Sequence, residues 1–150
     1  MDMKNLMSRI RESAAQYKEA LEPPCTETKL ARLRDRSRAE LAIDIPVAYE
    51  NFLRIMDGLD FNGVMVYASE QTQSNDASRA NIFGFVETNL LHRDVEALNN
   101  YLVFGQSDMD IYAMNIKANE YQVLDKVSLD VIASVGTFEE LLAKAFESRL

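Results

Sequence analysis

His92 is the only histidine and Cys25 the only cysteine in the 150 residues. A Ser-His-Asp or Cys-His arrangement would therefore have to use that one imidazole, with Cys25 or a serine brought to it in space. Nothing local supports such a pairing, because Cys25 directly follows Pro23-Pro24 in an expected loop. His92-Arg93-Asp94 has the letters of a kinase catalytic loop, but the Gly-rich loop and paired lysine are missing. Asp108-x-Asp110, with Asp125 and Asp130 further on, offers oxygen donors for Ca²⁺ or Mg²⁺. A calcium loop needs oxygens at alternating positions, a glycine at the sixth and a distal glutamate. Met109-Asp110-Ile111-Tyr112 is strand-like and lacks that spacing. One histidine and one cysteine leave zinc without a ligand set. Arg32, Arg34, Arg36 and Arg38 would make a phosphate stripe only if they shared a face. On a helix they divide into 32/36 and 34/38, with Asp35 and Glu40 near enough to offset them, which is the pattern of a solvated face. The sequence carries no glycine-rich phosphate loop, nucleophile elbow or metalloprotease helix. No catalytic, cofactor-binding or metal-binding residue is expected.

The elements that would position these residues follow from periodicity. Met3, Leu6, Met7, Ile10, Ala14, Tyr17 and Leu21 step by three and four, which predicts a first helix stopped by Pro23-Pro24. A second helix is predicted over about residues 27–41, with Leu30, Leu33 and Leu41 inward. Tyr49, Phe52, Leu53 and Met56 predict a third, with Gly58 at its C-cap. From residue 59 the period falls towards two. Asn62-Gly63 reads as a tight turn and Val64–Ala68 as a β-rich run. Residues 69–80 read as a surface loop with one short helical turn. Ile82–Val86, Tyr101–Phe104, Met109–Ile116 and Tyr121–Val127 are the remaining strand candidates, the last two joined through residues 117–120. Residues 111–116 are apolar on both alternating sets except Asn115, as in a central strand covered on both sides. Thr137-x-x-Glu140 is a capping box ahead of the apolar stripe Phe138, Leu141, Leu142, Ala145 and Phe146. Helices first, strands in the middle and a helix last predict an α+β fold. Its single antiparallel sheet of five to six strands should carry the N-terminal helices and the C-terminal helix packed upon it.

With no repeat or linker, residues 1–150 are read as one domain, of which 1–26 form an N-terminal helical extension and 27–148 the core. A chain of this length buries roughly 68–70% of its unfolded surface, enough for a core without disulfides or metal. No apolar run reaches the length of a membrane span, the first residues lack a signal-peptide h-region, and one cysteine suits a reducing compartment. A cytoplasmic location is the expectation. The net charge of −8 is uneven: residues 1–42 carry nine Lys/Arg against seven Asp/Glu (+2), and residues 43–150 seven against seventeen (−10). Such a body repels phosphate backbones and attracts basic surfaces.

Ile45-Pro46-x-x-Tyr49-x-x-Phe52-Leu53 followed by Asp57-Gly58 resembles the helix signature of the SUKH superfamily, where "LP-x-x-Y-x-x-F-L" leads into "NG". Phe61-Asn62-Gly63-Val64-x-Val66-Tyr67, Tyr101–Gly105, Asp108-x-Asp110-x-Tyr112, Tyr121-x-Val123-Leu124-Asp125 and Thr137–Leu142 follow in matching order. The resemblance spans about residues 27–148 and is nearest to the YrhA-like bacterial subgroup. The sequence departs from it at Asp57, where asparagine is commonest, and in a longer first helix. The resemblance implies one sheet with helices packed on it, no cofactor, and binding as the activity. The superfamily includes fungal cell-wall assembly regulators and bacterial immunity proteins that block a secreted toxin. A non-catalytic immunity- or antitoxin-type protein that binds a basic, nuclease-type toxin domain is the leading expectation, with neither nucleic acid nor membrane as partner. A regulatory or scaffold module unrelated to toxins is the alternative. The partner-binding candidates are Asp57, Asp60 and Asn62 at the turn, Asp108, Asp110 and Tyr112 in the later segment, and Glu70 and Asp76 in the long loop.

Overall fold

The computed structural model describes residues 2–71 and 81–150. In it five α-helices accompany a single six-stranded antiparallel sheet, so the fold is α+β. Helix α1 (Met3–Gln16) is capped by Asp2, whose carboxylate accepts from the Asn5 N–H, and it buries Leu6, Met7, Ile10 and Ala14 in the common core. It ends well before Pro23-Pro24. Lys18 takes a φ of 55°, the Lys18 N–H reaches the Ala15 carbonyl and the Glu19 N–H the Ala14 carbonyl. That is a Schellman closure built without glycine, and it leaves Tyr17 exposed.

Helix α2 (Glu27–Arg36), capped by Thr26, runs on into a π-turn at Ser37–Leu41, where Ala42 at φ 56° stops it. Helix α3 (Val47–Ile55) buries Tyr49, Phe52 and Leu53. Its C-cap is Met56 in an extended conformation. Gly58 is thus not the cap residue predicted, and its φ of 88° serves the entry into the sheet. Strands β1 (Leu59–Phe61) and β2 (Val64–Val66) form a two-residue hairpin, with Asn62 and Gly63 both at positive φ as predicted.

The segment read as a strand at Ile82–Val86 is instead the lead into helix α4 (Phe85–Arg93). Its inner face is partly polar, Phe85, Val86, Thr88 and Asn89 being buried, while Leu91 is 70% exposed. The reason is local. Strand β3 (Tyr101–Gln106) meets β2 only at Gly105 and Gln106, so at Val103 its edge is open. The Asn89 amide closes that gap: its nitrogen donates to the Val103 carbonyl at 2.8 Å, and its oxygen accepts from the Val103 N–H at 2.8 Å. One side chain thus takes the place of a strand neighbour for both backbone groups.

A 3₁₀ turn at Glu96–Leu98 leads into β3, and strands β4 (Asp110–Asn115), β5 (Glu120–Asp125) and β6 (Val131–Val135) continue a meander in chain order. Strand β4 is central, and Ile111 to Met114 are all buried, as its pattern predicts. Phe104 is the extra residue of a β-bulge between Val103↔Ala113 and Gly105↔Tyr112. A Cβ at Gly105 would collide with the Met65 carbonyl oxygen, so the close approach of β2 requires glycine there. Helix α5 (Phe138–Phe146) starts at the predicted box. The Thr137 hydroxyl accepts from the Glu140 N–H at 3.1 Å, but the Glu140 carboxylate reaches the Gly136 N–H, one residue earlier than the usual partner. Phe138 closes an aromatic cluster with Tyr49, Phe52, Phe104 and Tyr121, their ring centroids 5.2 to 6.3 Å from its own. The Tyr49 hydroxyl, inside that cluster, donates to the Tyr67 carbonyl at 2.6 Å. Among the described residues no helix is long and apolar enough to cross a membrane.

Candidate partner-binding surface

Two turns at one end of the sheet lie against each other. Between β3 and β4, the buried Ser107 organises the first: its hydroxyl accepts from the Met109 and Asp110 N–H groups at 3.3 and 3.0 Å, and its own N–H reaches the Asp110 carbonyl. Between β5 and β6, one oxygen of Asp125 accepts from the Val127 and Ser128 N–H groups at 2.9 and 2.8 Å. Those two bonds pull the Asp125 carboxyl below its ordinary range, the Ser128 bond contributing most. The Lys126 N–H donates to the Met109 carbonyl and its ammonium to the Ser107 carbonyl, which ties the two turns together.

This geometry sets Met109, 66% exposed, beside Val127, 94% exposed. Asp108, Asp110, Asp125 and Asp130 stand on the same two turns. Asp110 opposes Asp125 directly across the β4–β5 pair, and burial together with that like charge raises the Asp110 carboxyl above its usual range. Four carboxylates outnumber the Lys126 ammonium and the Arg149 guanidinium at this end, so its net charge is negative. The outcome is an apolar tip with an acidic rim.

Arg149 joins the β1–β2 turn to this end. Its guanidinium donates to the Asn62 carbonyl at 2.8 Å and approaches Asp108 at 3.5 Å, while the Asn62 amide donates to the Arg149 carbonyl at 2.7 Å. Asn62, Asp108 and Asp110, singled out in separate stretches of sequence, are thereby brought to one region. Asp60 is exposed on β1, its carboxyl raised by partial burial. Glu70 lies apart, 3.7 Å from Lys29 and 3.5 Å from Arg32. Asp76 is outside the described residues.

Two candidates are corrected. Asp57 is buried, and its two oxygens accept from the Ser69 N–H at 2.7 Å and the Ser69 hydroxyl at 2.9 Å. It is a strut beneath the surface, with nothing to offer a partner. Tyr112 is 3% exposed, its hydroxyl 3.5 Å from Ser107, so it supports the first turn from below. Sequence reasoning missed Ser107, Met109, Val127 and Arg149. A Ser-Asp-x-Asp run is a turn signal that could have found the first; exposed apolar tips leave no periodic trace.

The remaining chemistry-bearing residues are engaged elsewhere. The His92 ring lies 3.1 Å from the Tyr67 hydroxyl, which donates to the Gln106 side-chain oxygen at 2.7 Å. Cys25 has the Thr26 carbonyl, Ser69 and Asp57 around it, and burial raises its thiol. The two do not meet. The arginine series is paired mostly across elements: Arg34 with Glu50, Arg36 with Glu87 and Glu40, Arg38 with Asp44. Asp35 forms none of these contacts but offsets the series at longer range, its charge acting on Arg34 and Arg38 as expected. A groove of about 270 Å³ between Arg34, Arg38, Asp44, Ile45, Val47 and Glu50 is thus lined by charges already matched. Among the described residues no three His, Cys, Asp or Glu side chains converge to hold a metal. A scan against protein-family models finds no match to this chain, and a search of curated proteins finds none either.

Proposed function

We propose that this chain is a non-catalytic protein-binding domain of the SUKH type, an immunity- or antitoxin-like protein that neutralises a basic toxin domain in the cytoplasm by direct binding. The observation that carries this reading is the acid-rimmed apolar tip, with Met109 and Val127 exposed on the two linked turns that also carry Asp108, Asp110, Asp125 and Asp130. Exposed apolar side chains supply contact energy once water is expelled, and the ring of carboxylates steers a cationic surface onto them. The ordered resemblance over residues 27–148 and the −10 charge of residues 43–150 support the same reading.

Affinity capture from the source cell with the full chain as bait, followed by mass spectrometry, tests it. The expected result is one stoichiometric basic protein retained at about 0.3 M salt, where surface charge alone is largely screened. Replacing Met109 and Val127 together by serine should weaken that complex by roughly 30-fold or more, at an unchanged melting temperature. A set of many weak partners would favour a scaffold instead. An affinity indifferent to the double substitution would overturn the surface.

A further inference from the structure

We infer that the outer edge of β6 accepts an extended segment of a protein partner, bearing lysine or arginine between apolar residues, as a seventh strand. The inference rests on the protein-binding reading above and names a second point of grip. Strand β6 is the last of the sheet, paired on one side with β5. Among the described residues no strand pairs with its other side, and no backbone hydrogen bond reaches it. In an antiparallel strand one alternate set of N–H and C=O groups points away from the existing neighbour, and these are ready to pair.

The two edges of the sheet are built differently. Strand β1 has three residues, places Asp60 at its middle, and has its turn clamped by Arg149. Those are the devices that keep an edge from pairing. Strand β6 reads Val131-Ile132-Ala133-Ser134-Val135, without a charge or a proline, and Val131 and Ile132 are 50% and 56% exposed. Its one irregularity is a bulge: Val123 pairs with Ala133 and Leu124 with Val131, which leaves Ile132 as the extra residue. The regular ladder open to a newcomer is then Ala133–Val135, with the Ile132 side chain as an apolar contact beside it.

Charge selects the occupant. Residues 120–140 hold Glu120, Asp125, Asp130, Glu139 and Glu140 against Lys126, a net of −4. A second copy of the chain would set −4 against −4 across the new pair. A cationic strand meets an acidic frame while its alternate apolar residues lie along the uncharged ladder.

The test uses the full chain labelled with ¹⁵N and an eight-residue probe of alternating lysine and valine. Saturating probe should slow exchange of the outward amides of residues 131–135 by about tenfold or more, as pairing removes them from water. The same peptide with alternate amides N-methylated, and a glutamate–valine peptide, should leave these amides unchanged. Ser134→Lys puts a like charge on an exposed position of the edge and should weaken the probe by roughly tenfold. Binding that survives N-methylation, or that moves only the Met109 and Val127 amides, overturns the edge. So does a mass that doubles with concentration and reverts in Ser134→Lys, since that occupant is a second copy. The two readings fail separately. If the edge falls while the Met109/Val127 substitutions still abolish capture, protein binding stands. If capture yields no partner while the lysine–valine probe pairs with β6, the edge stands without a toxin.

Discussion

The helical face formed by α2 and α3 and the turn end of the sheet are both rich in charge, yet they use it in opposite ways. On this face three carboxylates are matched by guanidinium groups: Glu50 takes two bonds from Arg34 at 2.6 and 3.0 Å, Asp44 one from Arg38 at 2.6 Å, Glu27 one from Arg54 at 2.9 Å. At the turns Asp125 is satisfied by backbone N–H groups, which carry only partial charge and leave the carboxylate negative. Charge cancelled at contact holds elements together; charge held by amides remains available to a partner. Counting acids and bases therefore cannot find an interface. The identity of each charge's partner does.

The comparison breaks first at Glu50. Its side chain is 10% exposed and its bonds to Arg34 are bidentate, so Glu50→Ala strands a partly desolvated guanidinium between two helices. A fall in Tm of roughly 5–10 °C is expected by differential scanning calorimetry, for a chain in which each kcal/mol moves Tm by about 2–4 °C. Arg38→Ala removes a pair whose side chains are 62% and 77% exposed, and Tm should move by less than about 2 °C. Equal losses in the two variants would remove the distinction between embedded and solvated pairs on this face.

At the turn end two neighbouring carboxylates should respond with opposite sign. Asp125→Ala orphans the Val127 and Ser128 N–H groups and should lower Tm by about 2–5 °C. Asp110→Asn removes a half-buried charge opposite Asp125 and should raise Tm by about 1–2 °C at pH 7 while weakening capture of a basic partner. The pH dependences divide the same way. Asp125 has a lowered folded pKa, so its contribution is present above the unfolded value of 3.8 and is lost as pH falls through the folded one. Asp110 has a raised folded pKa, so its penalty is absent below 3.8 and grows as pH climbs to the folded value. Wild type minus Asp110→Asn, followed as Tm from pH 3 to 7, should therefore become more negative with rising pH.

The first hairpin, the middle of the sheet and the last helix were legible because their signals are local: Asn62-Gly63, the apolar run of β4 and the Thr137 box each fix a conformation within a few residues. Helix α4 was not, and the reason is physical. Its inner positions include Thr88 and Asn89, chosen to bond backbone, while Leu90 and Leu91 are exposed, so the apolar period points away from the core. Strand β6 escaped for a related reason, since Val131 and Ile132 are both exposed and give no alternation. At the candidate surface, the acids were visible as residue types, but Asp57 and Asp110 differ only in what surrounds them. Burial by Ser69 is a tertiary fact with no trace in the spacing.

His92 links the turn end to the interior and gives the smallest effect. Its ring stacks on Tyr67 and meets the Tyr67 hydroxyl, which in turn bonds Gln106, and the charge of Lys126 acts on it. The Tyr67 proton goes to Gln106, so the His92 Nε2–H donates to the Tyr67 oxygen in the neutral tautomer that satisfies all three groups. Burial, and then the Lys126 charge, lower the imidazole below its ordinary 6.5. Between the folded pKa and 6.5 the unfolded chain binds the proton and the folded chain does not, so stability rises with pH in that window. The contribution is complete above 6.5 and is lost as pH falls towards the folded value. Lys126→Met should raise the His92 pKa in an NMR titration of the ring protons, by removing the second of the two causes. An unchanged titration would place the Lys126 charge wholly on the Ser107 carbonyl and in water, and the two turns would then carry no electrostatic connection to the sheet behind them.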